Sequence, residues 1–371
     1  MAQVLVTGGA GFIGGHLVDA LVARGDRVHV VDSLVPQVHP TRPDYLNPKA
    51  TYHFSDIADR GTLAKVLPGT EVVFHLAAAV GTAQSMYQVD HFVRTNTLGT
   101  ATLLQWIIDQ KVRLRRFVVA SSNTIYGEGR YLCSKCGPIA PDLRPDSQLL
   151  QHDWEVRCPT CGATARPAPT EETKTIQPST VYAQTKLSQE QLTLMLGRAY
   201  DLPSVSCRFF NTYGPRQGLS NPYTGLTAIF LAQIRHGHAA IVYEDGLQTR
   251  DFVSVHDIVA GLLLAMERPQ AVGQAVNLAS GKASSVREVA RILMELEGRE
   301  LPLDQPNKFR PGDVRHCTAD LTRSRQLLGY EPKVNLRDGL AELHAWSREH
   351  TAEDHVKAAH QELEARGILK G

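Results

Sequence analysis

The stretch VLVTGGAGFIGGHLV, Val4 to Val18, constrains the fold more than any other part of this 371-residue chain. A β-branched run passes directly into Gly8, Gly11 and Gly14, spaced three apart, and an apolar helical pattern follows. Glycine here permits a tight turn, close approach of a pyrophosphate to the backbone, and close packing of helix on strand. The free N–H groups of the helix start add an anion-binding end. The spacing differs from the commoner G-x-G-x-x-G, but the order of strand, glycine turn and helix is that of a dinucleotide site.

The next strand-like run, RVHVVD, ends at Asp32, eighteen positions after Gly14. A carboxylate there accepts both ribose hydroxyls and repels a 2′-phosphate, which favours NAD over NADP. Asp56 ends the third run, TYHFSD, where it can reach the adenine with Ile57 beside the ring; a turn-capping role is the alternative. Phe12 and Ile13, between the glycines, complete this cofactor set.

QVLVTG, RVHVVD, TYHFSD, VVFHLA and RFVVASS alternate with helical patterns, which predicts an α/β fold of Rossmann type, a doubly wound parallel sheet. After Gly127 a polar, Pro-rich and Cys-containing stretch interrupts the alternation, which resumes with a helix through VYAQTK and the strand SVSCRFF. The expected division is a cofactor domain, 1–215, carrying an insertion at 129–168 and a returning segment at 251–270. Residues 216–250 and 271–350 form a smaller C-terminal substrate domain, and 351–371 a charged helical tail without an assigned purpose.

A net charge of +1 with no long basic run argues against a nucleic-acid partner. Apolar runs such as IVAGLLLAM fall short of the roughly 20 residues that cross a bilayer, and no export signal is visible, so no membrane contact and a cytoplasmic location are expected.

Six cysteines are too few for a disulfide scaffold. Four of them, Cys133, Cys136, Cys158 and Cys161, form two C-x-x-C pairs, each followed by glycine (Gly137, Gly162), with twenty-one residues between. The pattern predicts a zinc ribbon with a four-thiolate Zn2+, structural because no coordination position stays open; bare loops or a redox pair are the alternative. Because it falls between two candidate catalytic groups, the clip is expected to brace a pocket wall or a subunit contact. Arg130, Lys135, Arg144 and Arg157 read as solvated surface, and Cys207, Cys317 and His75 as packed residues.

VYAQTK places Tyr182 and Lys186 on one helical face, and ASSNTIYG ends a strand with Ser121 and Ser122. A phenol that serves as base near neutrality must lose about three pKa units, about 4 kcal/mol, with Lys186 and an oxidised nicotinamide as the available sources. Ser122 then holds the substrate hydroxyl, Tyr182 takes its proton, and hydride passes to the nicotinamide.

TGGAGFIG, HLAA, N-x-x-G-T from Asn96 to Thr100, SS-x-x-x-YG, Y-x-x-x-K, RFFNTYGPRQ and EDG-x-Q-x-RDFV-x-V-x-D together resemble the extended short-chain dehydrogenase/reductases of the nucleoside-diphosphate-sugar epimerase and dehydratase family. The resemblance implies that Ala77, Ala78, Ala79 and Asn96 line the cofactor and that Asn211 touches a sugar nucleotide near its phosphates. It also implies that Arg250 and Arg310 clamp the diphosphate, that Tyr223 to Leu226 lie along the base, and that Asp313 contacts the ribose. Two guanidinium forks suit a doubly charged linkage.

Dehydratases of this family carry an Asp-Glu pair after the catalytic hydroxyl, and the decarboxylases a Glu; here Asn123 and Thr124 stand instead, and neither titrates usefully. The catalytic set is therefore Ser122, Thr124, Tyr182 and Lys186, and the resemblance implies a 4-epimerase with tightly bound NAD. A narrower resemblance, in VGTAQSMYQV, IYGEGRYLC, CPTCG and SNPYTGLTAIF, is to dTDP-L-rhamnose 4-epimerases; a UDP-uronic-acid or UDP-hexose 4-epimerase is the alternative. A non-catalytic NAD-binding scaffold would commonly lack the Tyr or Lys. The resemblance further implies a homodimer through the helices around NTLGTATLLQWIIDQ and VYAQTKLSQEQLTLML.

Overall fold

The computed structural model describes residues 1–223 and 225–371. Seven parallel strands form the main sheet, in the order Gln274–Leu278, Ser204–Phe209, Arg116–Ser122, Val72–His75, Gln3–Thr7, Arg27–Asp32, Thr51–Phe54. Side chains alternate across a strand, so each run feeds two cores. Val4 and Val6 face Leu17, Val18, Ile258 and Leu262, from the helices Phe12–Ala23 and Val255–Glu267. Leu5 points the other way, to Leu63, Leu103 and Leu104 on the helices Arg60–Val66 and Gly99–Asp109.

From Gln3–Thr7 the chain winds outward to Arg27–Asp32 and Thr51–Phe54, then crosses to Val72–His75 and continues toward the other edge. The crevice between Gln3–Thr7 and Val72–His75, at the carboxyl ends of the strands, is the place where such sheets bind ligands.

A second core, with Tyr213, Phe230, Leu231, Leu293, Leu340 and Leu343, belongs to the smaller C-terminal part. One boundary of the expected division is corrected. Residues 271–350 were assigned wholly to that part, but Gln274–Leu278 closes the main sheet against Ser204–Phe209, and Leu321, Leu328 and Tyr330 join the first core. The physical reason is that an apolar run such as AVNL needs a buried strand position, which the sheet edge provides.

In the inserted segment, Arg130–Cys133 pairs antiparallel with both Gly137–Ile139 and Arg166–Ala168. Among the described residues no helix is long and apolar enough to cross a membrane.

Candidate active site

At the crevice the glycine turn is as crowded behind as it is open in front. A Cβ on Gly14 would lie 2.1 Å from the Gly8 carbonyl oxygen, and Gly8, at φ +72°, leaves only 2.8 Å to the Ala77 nitrogen. A Cβ on Gly11 would meet only the Gly8 oxygen, at 3.4 Å, and no side chain of the described residues caps the helix that Gly11 begins. Free N–H groups at an uncapped helix start, reached without any obstructing side chain, fit a pyrophosphate.

A cavity of about 1330 Å³ runs from this turn past Phe12, Ile13, Asp32, Asp56, Ile57 and Ala77 to Ala79, and on to Ser122, Tyr182 and Lys186. Asp32 accepts the N–H groups of Ala10 (3.0 Å) and Leu34 (2.9 Å), which fix its carboxylate at the strand end. Asp56 accepts the N–H of Ala58 at 2.7 Å, so the turn-capping alternative describes one of its oxygens. These residues fit a dinucleotide with unmodified ribose hydroxyls.

Asn96 is corrected. It is fully buried on a π-helical turn, Val93–Leu98, and its amide is spent on Ala79 N (2.7 Å), Ala79 O (3.1 Å) and Thr185 Oγ1 (2.9 Å). It pins the Ala77–Ala79 segment to the catalytic helix and presents nothing to a cofactor, because its donors and acceptor are consumed by protein. Thr95 lines the cavity instead.

The helix Val181–Ala199 begins at Thr180, which caps Ala183 N (3.2 Å), and Ser85 Oγ receives the Tyr182 N–H at 2.9 Å. Two anchors on the first turn aim Tyr182 into the cavity, with Lys186 one turn further on. Ser122, at the end of its strand, accepts the N–H (3.2 Å) and the hydroxyl (2.9 Å) of Thr124. Ser122, Thr124 and Tyr182 line the same cavity.

The expected fall in the Tyr182 pKa is absent from the protein by itself. Burial pushes it up to about 12, the nearby Ser122 hydroxyl acting in the opposite direction, while burial pulls Lys186 down to about 7 against the attraction of Glu190. Lys186 Nζ donates to Gln189 Oε1 (2.7 Å). Gln189 in turn bonds Thr100 Oγ1 (2.8 Å), which meets His75 at 2.8 Å. Gln189 is a positioning residue that the sequence analysis passed over; its i+3 spacing from Lys186 was the available signal.

A second cavity, about 260 Å³, adjoins the first at Thr82, Asn123, Thr124, Asn211 and Tyr223 and extends to Arg250, Arg310 and Asp313. Asn211 Oδ1 is buried there without a hydrogen-bond partner among the described residues, which marks it for a ligand donor. Arg250 is held by the carbonyls of Thr249 (2.9 Å), Arg315 (3.0 Å) and Val314 (2.6 Å). Backbone dipoles orient it without cancelling its charge. Arg310 lies 5.0 Å over the Tyr243 ring and pairs with Asp313 through Nε (2.9 Å) and a terminal nitrogen (2.8 Å), so the Asp313 carboxylate is engaged in setting that fork. Tyr223 donates its hydroxyl to Glu362, on the C-terminal helix. Of the Tyr223 to Leu226 segment, Thr224 lies outside the described residues. Tyr243, just before the EDG-x-Q-x-RDFV motif, and Gln248, within it, also line the cavity and were not singled out.

The four cysteine sulfurs lie within 4.8 Å of one another, with Cys133 and Cys161 at 3.5 Å. Tetrahedral zinc with Zn–S near 2.3 Å requires sulfur edges of about 3.8 Å. Backbone N–H groups, of Lys135 and Cys136 toward Cys133 and of Cys161 toward Cys158, hold these two thiols below the ordinary value, while the neighbouring sulfurs of Cys161 and Cys158 push Cys136 up to about 12. The donor set fits the metal.

Arg144 is not on the surface. Its side chain is 2% exposed and bonds Glu244 (2.9 Å), Trp154 O (2.9 Å) and Asp313 O (3.1 Å). Arg315, its side chain fully buried, bonds Glu155 (2.7 Å) from the insertion and Glu244 (2.9 Å) and Asp245 (2.7 Å) from the smaller part. The insertion is bolted to the 310–315 segment that carries Arg310 and orients Arg250.

Residues 4–144 match the NAD dependent epimerase/dehydratase family, and residues 162–343 the GDP-mannose 4,6 dehydratase family. The chain is 35% identical over 349 residues to the dTDP-L-rhamnose 4-epimerase of Burkholderia thailandensis, covering 93% of this chain and 94% of that one. It is 30% identical to the UDP-N-acetyl-alpha-D-glucosaminuronate decarboxylase of Bacillus cytotoxicus, with 94% and 98% covered. The structure of UDP-glucuronic acid 4-epimerase from Bacillus cereus, in complex with UDP-glucuronic acid and NAD, superposes with a TM-score of 0.77 at 25% identity, over 94% of this chain and 99% of that one. The chain belongs to the NAD-dependent nucleoside-diphosphate-sugar epimerase/dehydratase family, and is an enzyme of that class.

Proposed function

We propose that this protein is an NAD-dependent nucleoside-diphosphate-sugar 4-epimerase acting through a transient 4-keto intermediate, with a dTDP-6-deoxyhexose such as dTDP-L-rhamnose as substrate. The observation that carries the reading is that Ser122, Thr124 and Tyr182 line one cavity with Asn123, so that Asn123 and Thr124 stand where an acid and base for elimination would otherwise be. In this reading Asn211, Arg250 and Arg310 hold the diphosphate, and the sugar extends past Thr82 toward Tyr182. Ser122 orients the 4-hydroxyl and Tyr182 removes its proton, then returns it after the ketone has turned over in the pocket. Gly8, Gly11, Gly14, Asp32 and Ala77 to Ala79 would hold NAD, with Lys186 at its ribose end. When bound, NAD supplies the hydride acceptor and donor and a positive ring beside a phenol that burial otherwise keeps protonated. The four cysteines hold a structural zinc, and the protein works as a homodimer.

The test is incubation of the purified protein, without added cofactor, with dTDP-L-rhamnose, UDP-glucose and UDP-glucuronic acid, followed by mass and proton NMR. An isomer inverted at C4 with unchanged mass is expected from the dTDP sugar, and Tyr182→Phe should lower turnover by roughly 10²–10⁴-fold. Reaction of a UDP sugar alone would reassign the substrate, and loss of water or carbon dioxide would overturn epimerisation.

A further inference from the structure

The C-terminal helix Val356–Ala365 is amphipathic in an unusual direction. Val356, Ala359, His360 and Leu363 recur at the spacing of one helical face, and all four line the smaller cavity. Val356, Ala359 and Leu363 are buried, yet none of them belongs to the main hydrophobic cores. What the apolar face covers is the space between Tyr243, Arg310 and Phe230. His360 Nε2 lies 2.6 Å from the Tyr243 hydroxyl, and the Arg310 guanidinium lies 5.0 Å from the centre of the same Tyr243 ring.

This helix is fastened by Tyr223, which donates to Glu362, by Arg366, 4.3 Å over the Tyr87 ring, and by a set of outer contacts. Lys308 pairs with Glu364, Phe309 exchanges backbone bonds with Lys370 (2.8 and 2.9 Å), and Lys370 reaches Asp146 of the insertion at 2.6 Å. Half-exposed ion pairs of this kind contribute little by themselves. An apolar helix face turned to a cavity gains order from what fills the cavity.

We propose that this helix is a wall of the sugar-nucleotide site and that His360 is a ligand-contacting residue on it, bonding the nucleoside diphosphate beside Arg310. The inference rests on the reading of the site given above and adds a ligand-contacting residue to it. Calorimetry on the full-length protein, with dTDP and with UDP as probes, measures the contact. His360→Ala should weaken the preferred nucleotide about tenfold, as loss of a hydrogen bond to a charged group does, and should raise KM more than it lowers kcat. His360→Gln, which keeps a donor and an acceptor, should recover most of the affinity. Hydrogen exchange on the unaltered protein covers the case in which the variants fold poorly: saturating nucleotide should slow the amides of 356–365. An unchanged Kd in His360→Ala, or exchange in this helix that ignores nucleotide, overturns the inference while leaving the reading of the site intact. Failure of the unaltered protein to bind either dTDP or UDP overturns both.

Discussion

His75 lies beneath the reacting groups, fully buried, with Thr7 Oγ1 at 2.8 Å on one ring nitrogen and Thr100 Oγ1 at 2.8 Å on the other. Burial first, and then Lys186, hold its pKa down to about 3. Its folded pKa is thus depressed, so between about pH 6.5 and 3 the unfolded chain binds the extra proton and stability falls as pH falls through that window, by up to about 1.4 kcal/mol per pH unit. His75→Gln should therefore show a shallower decline of urea-unfolding free energy than the unaltered protein between about pH 6.5 and 4.5; parallel declines would refute the assignment. At this scale the sequence was informative where backbone geometry speaks through residue type. Gly8, Gly14 and the Tyr182–Lys186 spacing report local constraints. Asn96 misled because an amide can face a ligand or its own backbone with equal ease, and only the fold places Ala79 within 2.7 Å.

The inserted element and the segment carrying Arg310 meet in the network of Arg144, Glu155, Glu244, Asp245 and Arg315. Breaking one buried pair of such a network costs about 3–5 kcal/mol, because the partner is left charged and dry. The four clustered cysteines flank the segment that delivers Arg144 and Glu155. The native protein should therefore contain one zinc per chain by elemental analysis. Replacing both Cys133 and Cys158 by serine should remove it, lower Tm, and raise KM for the sugar nucleotide more than it lowers kcat, since Arg250 and Arg310 lose their brace. Retained metal, or metal loss with unaltered Tm and KM, would contradict this. The C-x-x-C pairs were legible from spacing; the destination of Arg144 was not, since Glu244 lies a hundred positions away.

For the whole molecule, the helices expected to form a dimer contact leave large apolar side chains in solvent: Leu98 is 51% exposed and Met195 54%, with Val93 nearby at 43%. A second copy seated on this face would cover them. Leu98→Glu should convert a dimer into a monomer by light scattering, and a monomeric native protein would dispose of the contact. The sequence by itself determined the glycine turn, the parallel sheet around it, the Tyr–Lys pair and the clustered cysteines, because each is written in residue type and short spacing. Only the tertiary structure decided that Gln274–Leu278 closes the main sheet, that the insertion grips the 310–315 segment, and that the C-terminal helix covers the cavity. Those outcomes depend on contacts between residues far apart in the chain, where burial and charge pairing choose among partners that local pattern leaves equivalent.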